Sequence, residues 1–205
     1  MIHIICADIS GLSEADYRKL YAKASPERKN RADRYRRRED ALRCVTADAL
    51  LRFALGTDAY TVEKNHDGKP FIKDRPDFFY NLSHSGQWVV IAFGESEVGV
   101  DVEQIRMDAD IEAIAGRFFS SEEQQYIHAE SSQSRNRFFE VWAGKESYVK
   151  FLGTGLKKSM SSFSILSLEP DVHLHQRMLP GGYCLCLCTT EDNIFFELLD
   201  ISSCL

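Results

Sequence analysis

Phe78-Phe79-Tyr80-Asn81-Leu82-Ser83, Trp88-Val89-Val90-Ile91-Ala92-Phe93 and Val98-Gly99-Val100-Asp101-Val102-Glu103 follow one another in the chain, and their reading decides the fold. Aromatic and β-branched residues fill each run and glycine-bearing turns separate them, so they read as successive strands. From Ile111 the pattern turns helical and stays largely so through Leu152. Upstream, residues 2–8 read as a first strand and Ser13-Glu14-Ala15-Asp16 as a helix start. Ser25-Pro26-Glu27 supplies an N-cap serine with proline at the first helical position, opening a helix interrupted near Arg38 and stopped by Gly56. Asn65-His66-Asp67-Gly68 marks a turn between short strands, and Pro70 forces Lys69 into an extended conformation. Downstream, residues 161–165, 183–188 and 193–198 read as strands again. Strands then helices, twice over, predict an α+β protein of two similar lobes.

The 205 residues are enough for one large domain or two packed lobes. With 44% hydrophobic and 27% charged residues the composition is that of an ordinary globular protein. No apolar run approaches the roughly 18 residues a membrane span needs. The opening MIHIICADIS lacks a basic segment and a small-residue cleavage site, so a cytoplasmic protein without a secretory signal is expected. The six cysteines are then expected to be reduced. Cys184, Cys186 and Cys188 alternate with leucines and share one strand face, the pattern of buried thiols rather than metal ligands.

The net charge of −6 is unevenly distributed. Residues 18–43 hold eleven Lys/Arg against four acids. The interleaved apolar residues fit an amphipathic helical face, and the acidic remainder argues against a dedicated nucleic-acid binder. A small polyanion with several phosphates suits this face better.

Three polar motifs carry chemistry. Asp101 and Glu103 are two apart in a strand, so both carboxylates share a face while Val100 and Val102 take the other. Paired oxygens at that spacing suit a hard cation such as Mg²⁺, although an Asp-x-Glu alone is more often a solvated strand face. His84 stands between Ser83 and Ser85 at a strand end, where hydroxyls and backbone N–H groups can meet a phosphate. Trp142-Ala143-Gly144-Lys145-Glu146-Ser147-Tyr148-Val149-Lys150 reads as a helix with Trp142, Glu146 and Lys150 on one stripe. Glu146 is open to three roles: cation ligand, general base, or plain i,i+4 partner of Lys150. Ser120 and Glu123 fit a helix capping box.

Together these motifs resemble the Sfp-type 4′-phosphopantetheinyl transferases. The resemblance covers residues 25–156, and its most specific part is Trp142-x-x-Lys145-Glu146-Ser147-Tyr148-x-Lys150-x-x-Gly153-x-Gly155-Leu156. It implies transfer of phosphopantetheine from coenzyme A to a serine of an acyl or peptidyl carrier protein, releasing 3′,5′-ADP. It also implies a pseudo-dimer with the site in the cleft between lobe 1–100, which meets the coenzyme, and lobe 101–205, which bears the catalytic helix. Asp101, Glu103 and Glu146 would hold Mg²⁺, with Glu146 also the base and Lys150 acting on phosphate charge. His84, Arg28, Arg31 and Arg43 would meet the coenzyme's phosphates, and Gly68, Lys69, Pro70 and Ser83 would surround the adenine and its neighbouring phosphates. The expected enzyme is a monomer that uses neither nucleic acid nor membrane.

Two departures stand out: Arg28 and Arg31 replace lysines, changing a point charge to a fork, and Cys44 replaces a hydroxyl residue. Glu123 falls on a family carboxylate. Phe118, Phe119 and residues 131–137 are candidate carrier-docking elements. The rival readings are another Mg²⁺-dependent nucleotide phosphotransferase or hydrolase, and a non-catalytic polyanion-binding module.

Overall fold

A computed structural model describes residues 1–155 and 159–204. Leu156, the last residue of the signature, lies outside them. In chain order the elements are β1 (Ile2–Asp8), α1 (Glu14–Lys23), α2 (Pro26–Ala32), α3 (Arg38–Leu55), β2 (Val62–Lys64), β3 (Pro70–Ile72), β4 (Phe79–Ser85), β5 (Trp88–Gly94) and β6 (Val98–Gln104). There follow α4 (Ile111–Phe118), α5 (Ser121–His128), α6 (Ser134–Leu152), β7 (His173–Leu179), β8 (Tyr183–Thr189) and β9 (Ile194–Leu199).

The strands form a four-stranded sheet ordered β4-β5-β1-β9, a three-stranded sheet ordered β6-β8-β7 and a β2-β3 ribbon. Strand alternation builds the layers. In the first sheet Ile5, Ala7, Val89 and Ile91 pack on α1, α2 and α3 through Leu20, Ala32, Val45, Leu50 and Leu51. The other face, with Ile2, Ile4, Cys6, Val90 and Ala92, packs on Val98, Val100, Val102, Leu185 and Leu187 of the second sheet. The far face of that sheet places Cys184 and Cys186 against Phe138, Phe139 and Val141 of α6. The order is helices, sheet, sheet, helices: the two-lobed α+β architecture expected from the element order. The last strand, β9, returns to the first sheet and runs parallel to β1.

Gly99 sets how closely α6 lies on β6. A Cβ there would fall 2.0 Å from the Ser147 carbonyl oxygen and 2.3 Å from the Phe151 nitrogen, both backbone. At the other end of the contact Gly153 caps α6 in the left-handed region at φ 68°.

The expected strand at 161–165 is absent. Met160–Ser162 forms a 3₁₀ turn, and the chain beyond it is irregular. The reason lies in two buried side chains. Lys145 Nζ donates to the carbonyls of Met160 (2.7 Å) and Phe163 (2.6 Å), and Glu123 Oε1 accepts from the Ile165 N–H at 2.8 Å. Those backbone groups are satisfied without a sheet partner. The cysteines behave as the alternation suggests: all six are free, and burial pushes the thiols of Cys184, Cys186 and Cys188 up to about 12.

Candidate active site

β4 and β6 are edge strands of different sheets, and side chains join them. Asn81, Ser83 and Ser85 alternate along β4, so all three point toward β6. Asn81 Oδ1 accepts from the Val100 N–H (3.1 Å), Ser83 Oγ from Val102 N–H (3.3 Å) and Ser85 Oγ from Gln104 N–H (3.1 Å). Unpaired edge amides are thereby satisfied where a backbone ladder would otherwise be needed. The sequence reading missed this ladder. Its signal was the match between the alternation Asn-x-Ser-x-Ser and the alternating free N–H groups of the neighbouring edge.

The acids sit along this junction. Asp101 is buried; its Oδ1 accepts from Ser83 Oγ at 2.9 Å and from Lys150 Nζ at 2.7 Å. Its Oδ2 is buried without a hydrogen-bond partner. Glu103 is held at both oxygens, Oε1 by Trp142 Nε1 (3.1 Å) and Oε2 by Ser85 Oγ (3.3 Å). Burial, reinforced by the Asp101 charge, pushes the Glu103 carboxyl up to about 7, against the bonds from Trp142 and Ser85 and the charge of Lys150. Glu146 is half-buried, and burial followed by the Asp101 charge raises it too, with Lys150 opposing. Among the described residues no three His, Cys, Asp or Glu side chains already converge as a metal cage. Asp101 Oδ1 and both oxygens of Glu103 are instead turned onto protein donors.

Lys150 spends its donors on Asp101, Ser83 Oγ (3.2 Å) and the Val100 carbonyl (3.1 Å). Its salt bridge reaches across to β6, so the i,i+4 spacing to Glu146 does not identify its ion-pair partner. The cationic side lies around His84 at the exposed end of β4. Partial desolvation of the ring pushes the imidazole below its ordinary range, and the charges of Arg43, Lys150 and Arg31 act in the same direction, against a backbone hydrogen bond. Arg43 is anchored to the Gly86 carbonyl (2.6 Å) and to Asp40, while Arg31 Nε donates to the Tyr35 hydroxyl at 3.2 Å. Arg28 turns inward instead, 3.8 Å from the buried Asp48 carboxylate, and Cys44 is buried against the Arg28 carbonyl.

A cavity of about 230 Å³ is lined by Gly68, Lys69 and Pro70 from the ribbon and by Asn81, Glu146 and Lys150. It brings residues from three separate motifs to one place. The Lys69 ammonium does not point freely into it. Nζ donates to the Phe151 carbonyl (2.9 Å) at the end of α6 and to the Val98 carbonyl (3.1 Å), and pairs with Glu97.

Other expectations resolve into packing. Glu123 makes the capping box with Ser120 and is fully buried in an ion pair with Lys145 at 2.8 Å. Phe119 is buried among Phe138 and Trp142, which removes it from any docking surface; Phe118 packs edge-on against Trp142. In the segment 131–137, Arg135 donates to the Arg106 carbonyl (2.7 Å) and Arg137 pairs with Glu130 (3.1 Å).

Fold and site define a two-lobed α+β protein whose acidic, lysine-balanced junction opens beside a cluster of cations, the arrangement of a protein that handles phosphorylated ligands. Residues 97–194 match the 4′-phosphopantetheinyl transferase superfamily, and residues 12–96 match the 4′-phosphopantetheinyl transferase N-terminal family. A 4′-phosphopantetheinyl transferase of Bacillus subtilis is 34% identical over 189 residues, covering 88% of this chain and 82% of the relative. The 4′-phosphopantetheinyl transferase Sfp of Bacillus subtilis strain 168 is 32% identical over 211 residues, covering 93% of each. The 4′-phosphopantetheinyl transferase HetI of Nostoc is 30% identical over 198 residues, covering 83% of this chain and 84% of the relative. The chain belongs to the Sfp-type 4′-phosphopantetheinyl transferases and is an enzyme of that family. The rival readings, a different nucleotide enzyme and a polyanion-binding module, find no support in these matches. No helix of the described residues is long and apolar enough to cross a membrane.

Proposed function

We propose that this chain moves the 4′-phosphopantetheine group of coenzyme A onto a serine hydroxyl of an apo acyl or peptidyl carrier protein. The serine oxygen forms the new P–O bond, the pyrophosphate bridge breaks, and 3′,5′-ADP leaves. The observation that carries the active-site part of this reading is the orphaned Asp101 Oδ2, buried beside two carboxyls whose affinity for protons is raised. A buried anionic oxygen with no donor costs several kcal/mol unless a cation or donor meets it. Asp101, Glu103 and Glu146 would hold a hard divalent cation, Mg²⁺, which would supply charge neutralisation and Lewis-acid polarisation at the pyrophosphate when bound.

The chain's own residues do the rest. Glu146, with its pKa raised by burial and Asp101, suits a base that takes the proton of the incoming serine. Lys150 leaves Asp101 to meet the charge gathering on the transferred phosphoryl group and the leaving oxygen. His84, Arg31 and Arg43 gather around the remaining phosphate, where His84 offers a ring N–H as a hydrogen-bond donor. Arg28, 3.8 Å from Asp48, meets a phosphate by turning away from that carboxylate, while Gly68, Lys69, Pro70 and Ser83 border the adenine and the bridge. In this division of labour residues 1–100 hold the coenzyme and residues 101–205 bear the reacting groups.

The enzyme acts as a cytoplasmic monomer, a placement that its free cysteines support. Incubation with coenzyme A, Mg²⁺ and a panel of apo-carriers should add one phosphopantetheine to a carrier by intact mass. No modified carrier in the panel, with Glu146→Ala indistinguishable from the unsubstituted chain, would overturn the proposal.

A further inference from the structure

The geometry points to Ser85 as a positioning residue of the cation site, acting through Glu103. This inference rests on the cation reading above and names what aims one of its ligands.

Glu103 stands near the end of β6, where an extended side chain has several rotamers open to it. Two donors from different parts of the molecule remove that freedom. Trp142 reaches from α6 in the second lobe, and Ser85 reaches from β4 in the first. The Ser85 hydroxyl has two tasks. Its oxygen accepts the Gln104 N–H at 3.1 Å, locking the edge of β4 onto the edge of β6, while its proton goes to Glu103 Oε2 at 3.3 Å. The side chain that registers the two sheets therefore also aims the carboxylate. Asn81, at the other end of the same ladder, registers Val100, next to Asp101, in the same way. Ser85 is half-buried, and neither it nor Glu103 lines the cavity of Glu146 and Lys150, so what Ser85 reaches directly is the Glu103 carboxylate.

Donors that orient a metal ligand from behind typically change metal affinity by about 10–100-fold when removed. Calorimetric titration of Mg²⁺ into protein saturated with coenzyme A, with no carrier present, reads this directly. Ser85→Ala should weaken Mg²⁺ binding roughly tenfold and Ser85→Thr, which keeps the hydroxyl, should restore it to within about threefold. In turnover assays Ser85→Ala should raise the Mg²⁺ KM by about the same factor while kcat at saturating Mg²⁺ changes by less than about twofold. A merely structural serine would lower the melting temperature without that split. Ser85→Cys, similar in size and a weak donor, carries the test should the alanine variant fold poorly, and it should fall between the other two. Glu103→Gln separates the two ways of failing. If Glu103→Gln loses Mg²⁺ and Ser85→Ala and Ser85→Cys do not, the positioning role is wrong and the cation site stands. If Glu103→Gln binds Mg²⁺ as the unsubstituted protein does, the cation reading falls and the positioning role falls with it.

Discussion

Helix α6 carries two lysines five residues apart, and its two faces put the same chemical group to opposite uses. On one face Lys145 is wholly buried, held by Glu123 and by two carbonyls of the segment that follows the helix. On the other, Lys150 is 27% exposed and bonds to Asp101, Ser83 and a β6 carbonyl at the margin of the cavity. Burial lowers the Lys145 pKa while its hydrogen bond with Glu123 and the Glu123 charge hold it up, a balance that makes its ammonium inseparable from its acid. Lys150 is partly exposed, so a ligand can reach it, while the buried Asp101 it would leave needs another donor or cation in its place. The signature motif spans both faces, and only the environment of each side chain separates scaffold from chemistry.

The largest effect that can break this contrast comes from Lys145→Met. It leaves Glu123 buried and charged, so unfolding free energy should fall by about 3–5 kcal/mol. The double variant Lys145→Met, Glu123→Gln should recover much of that loss in denaturant titrations, because no unpaired charge remains. Protein that stays folded at low temperature should keep most of its turnover. Lys150→Ala should do the reverse. Turnover should fall at least about 100-fold, roughly 2.7 kcal/mol of barrier, while stability falls by less than in Lys145→Met, because Asp101 keeps its bond from Ser83 and the pair with Lys150 is partly exposed. Equal losses of turnover in the two variants, both verified as folded, would erase the distinction.

A smaller effect sharpens the reactive face through pH. Glu103 moves from 4.5 to about 7 on folding, mainly by burial, so the folded state holds its proton more tightly than the unfolded chain. Its contribution to stability is fully present below about 4.5 and is lost as pH rises through about 7, the slope being set by excess protons on the native state. The metal-free protein should therefore lose melting temperature across that window, and Glu103→Gln should flatten the loss. Mg²⁺ should raise the melting temperature more near pH 8 than near pH 5.5, since the ion competes with that proton. A Mg²⁺ effect that does not depend on pH would detach Glu103 from the cation.

Much of this was legible in the chain because it depends on short periods. The strands around Asn81, Val90 and Asp101 announce themselves by aromatic or β-branched runs, and the stripe Trp142, Glu146, Lys150 by helical spacing. What was not legible depends on partners far away in sequence. The segment 161–165 has strand-like residues, yet its backbone groups belong to Lys145 and Glu123. His173–Leu179 is an edge strand, too polar in its outer half to stand out. The pairing of β9 with β1 joins opposite ends of the chain, and the Asn81-Ser83-Ser85 ladder reads only once β6 lies beside β4. Lys150 offered a partner four residues away and took one 49 residues away.

The smallest effect tests whether the scaffold face is scaffold alone. Ser120 Oγ accepts from the Glu123 N–H at 3.2 Å, and Glu123 Oε2 accepts from the Ser120 N–H at 2.8 Å. Ser120→Ala removes one of these two bonds and leaves the Lys145–Glu123 pair in place. The expected cost is about 1 kcal/mol, the usual loss of a serine N-cap, seen as a modest drop in denaturant midpoint with an unchanged slope. Turnover below the unfolding range should match that of the unsubstituted enzyme, because neither Ser120 nor Glu123 lines the cavity of Glu146 and Lys150. A fall in kcat without a matching fall in stability would mean that the α5 N-terminus reaches the reacting groups, and Glu123, wholly buried here, would have to be moved from one face of the comparison to the other.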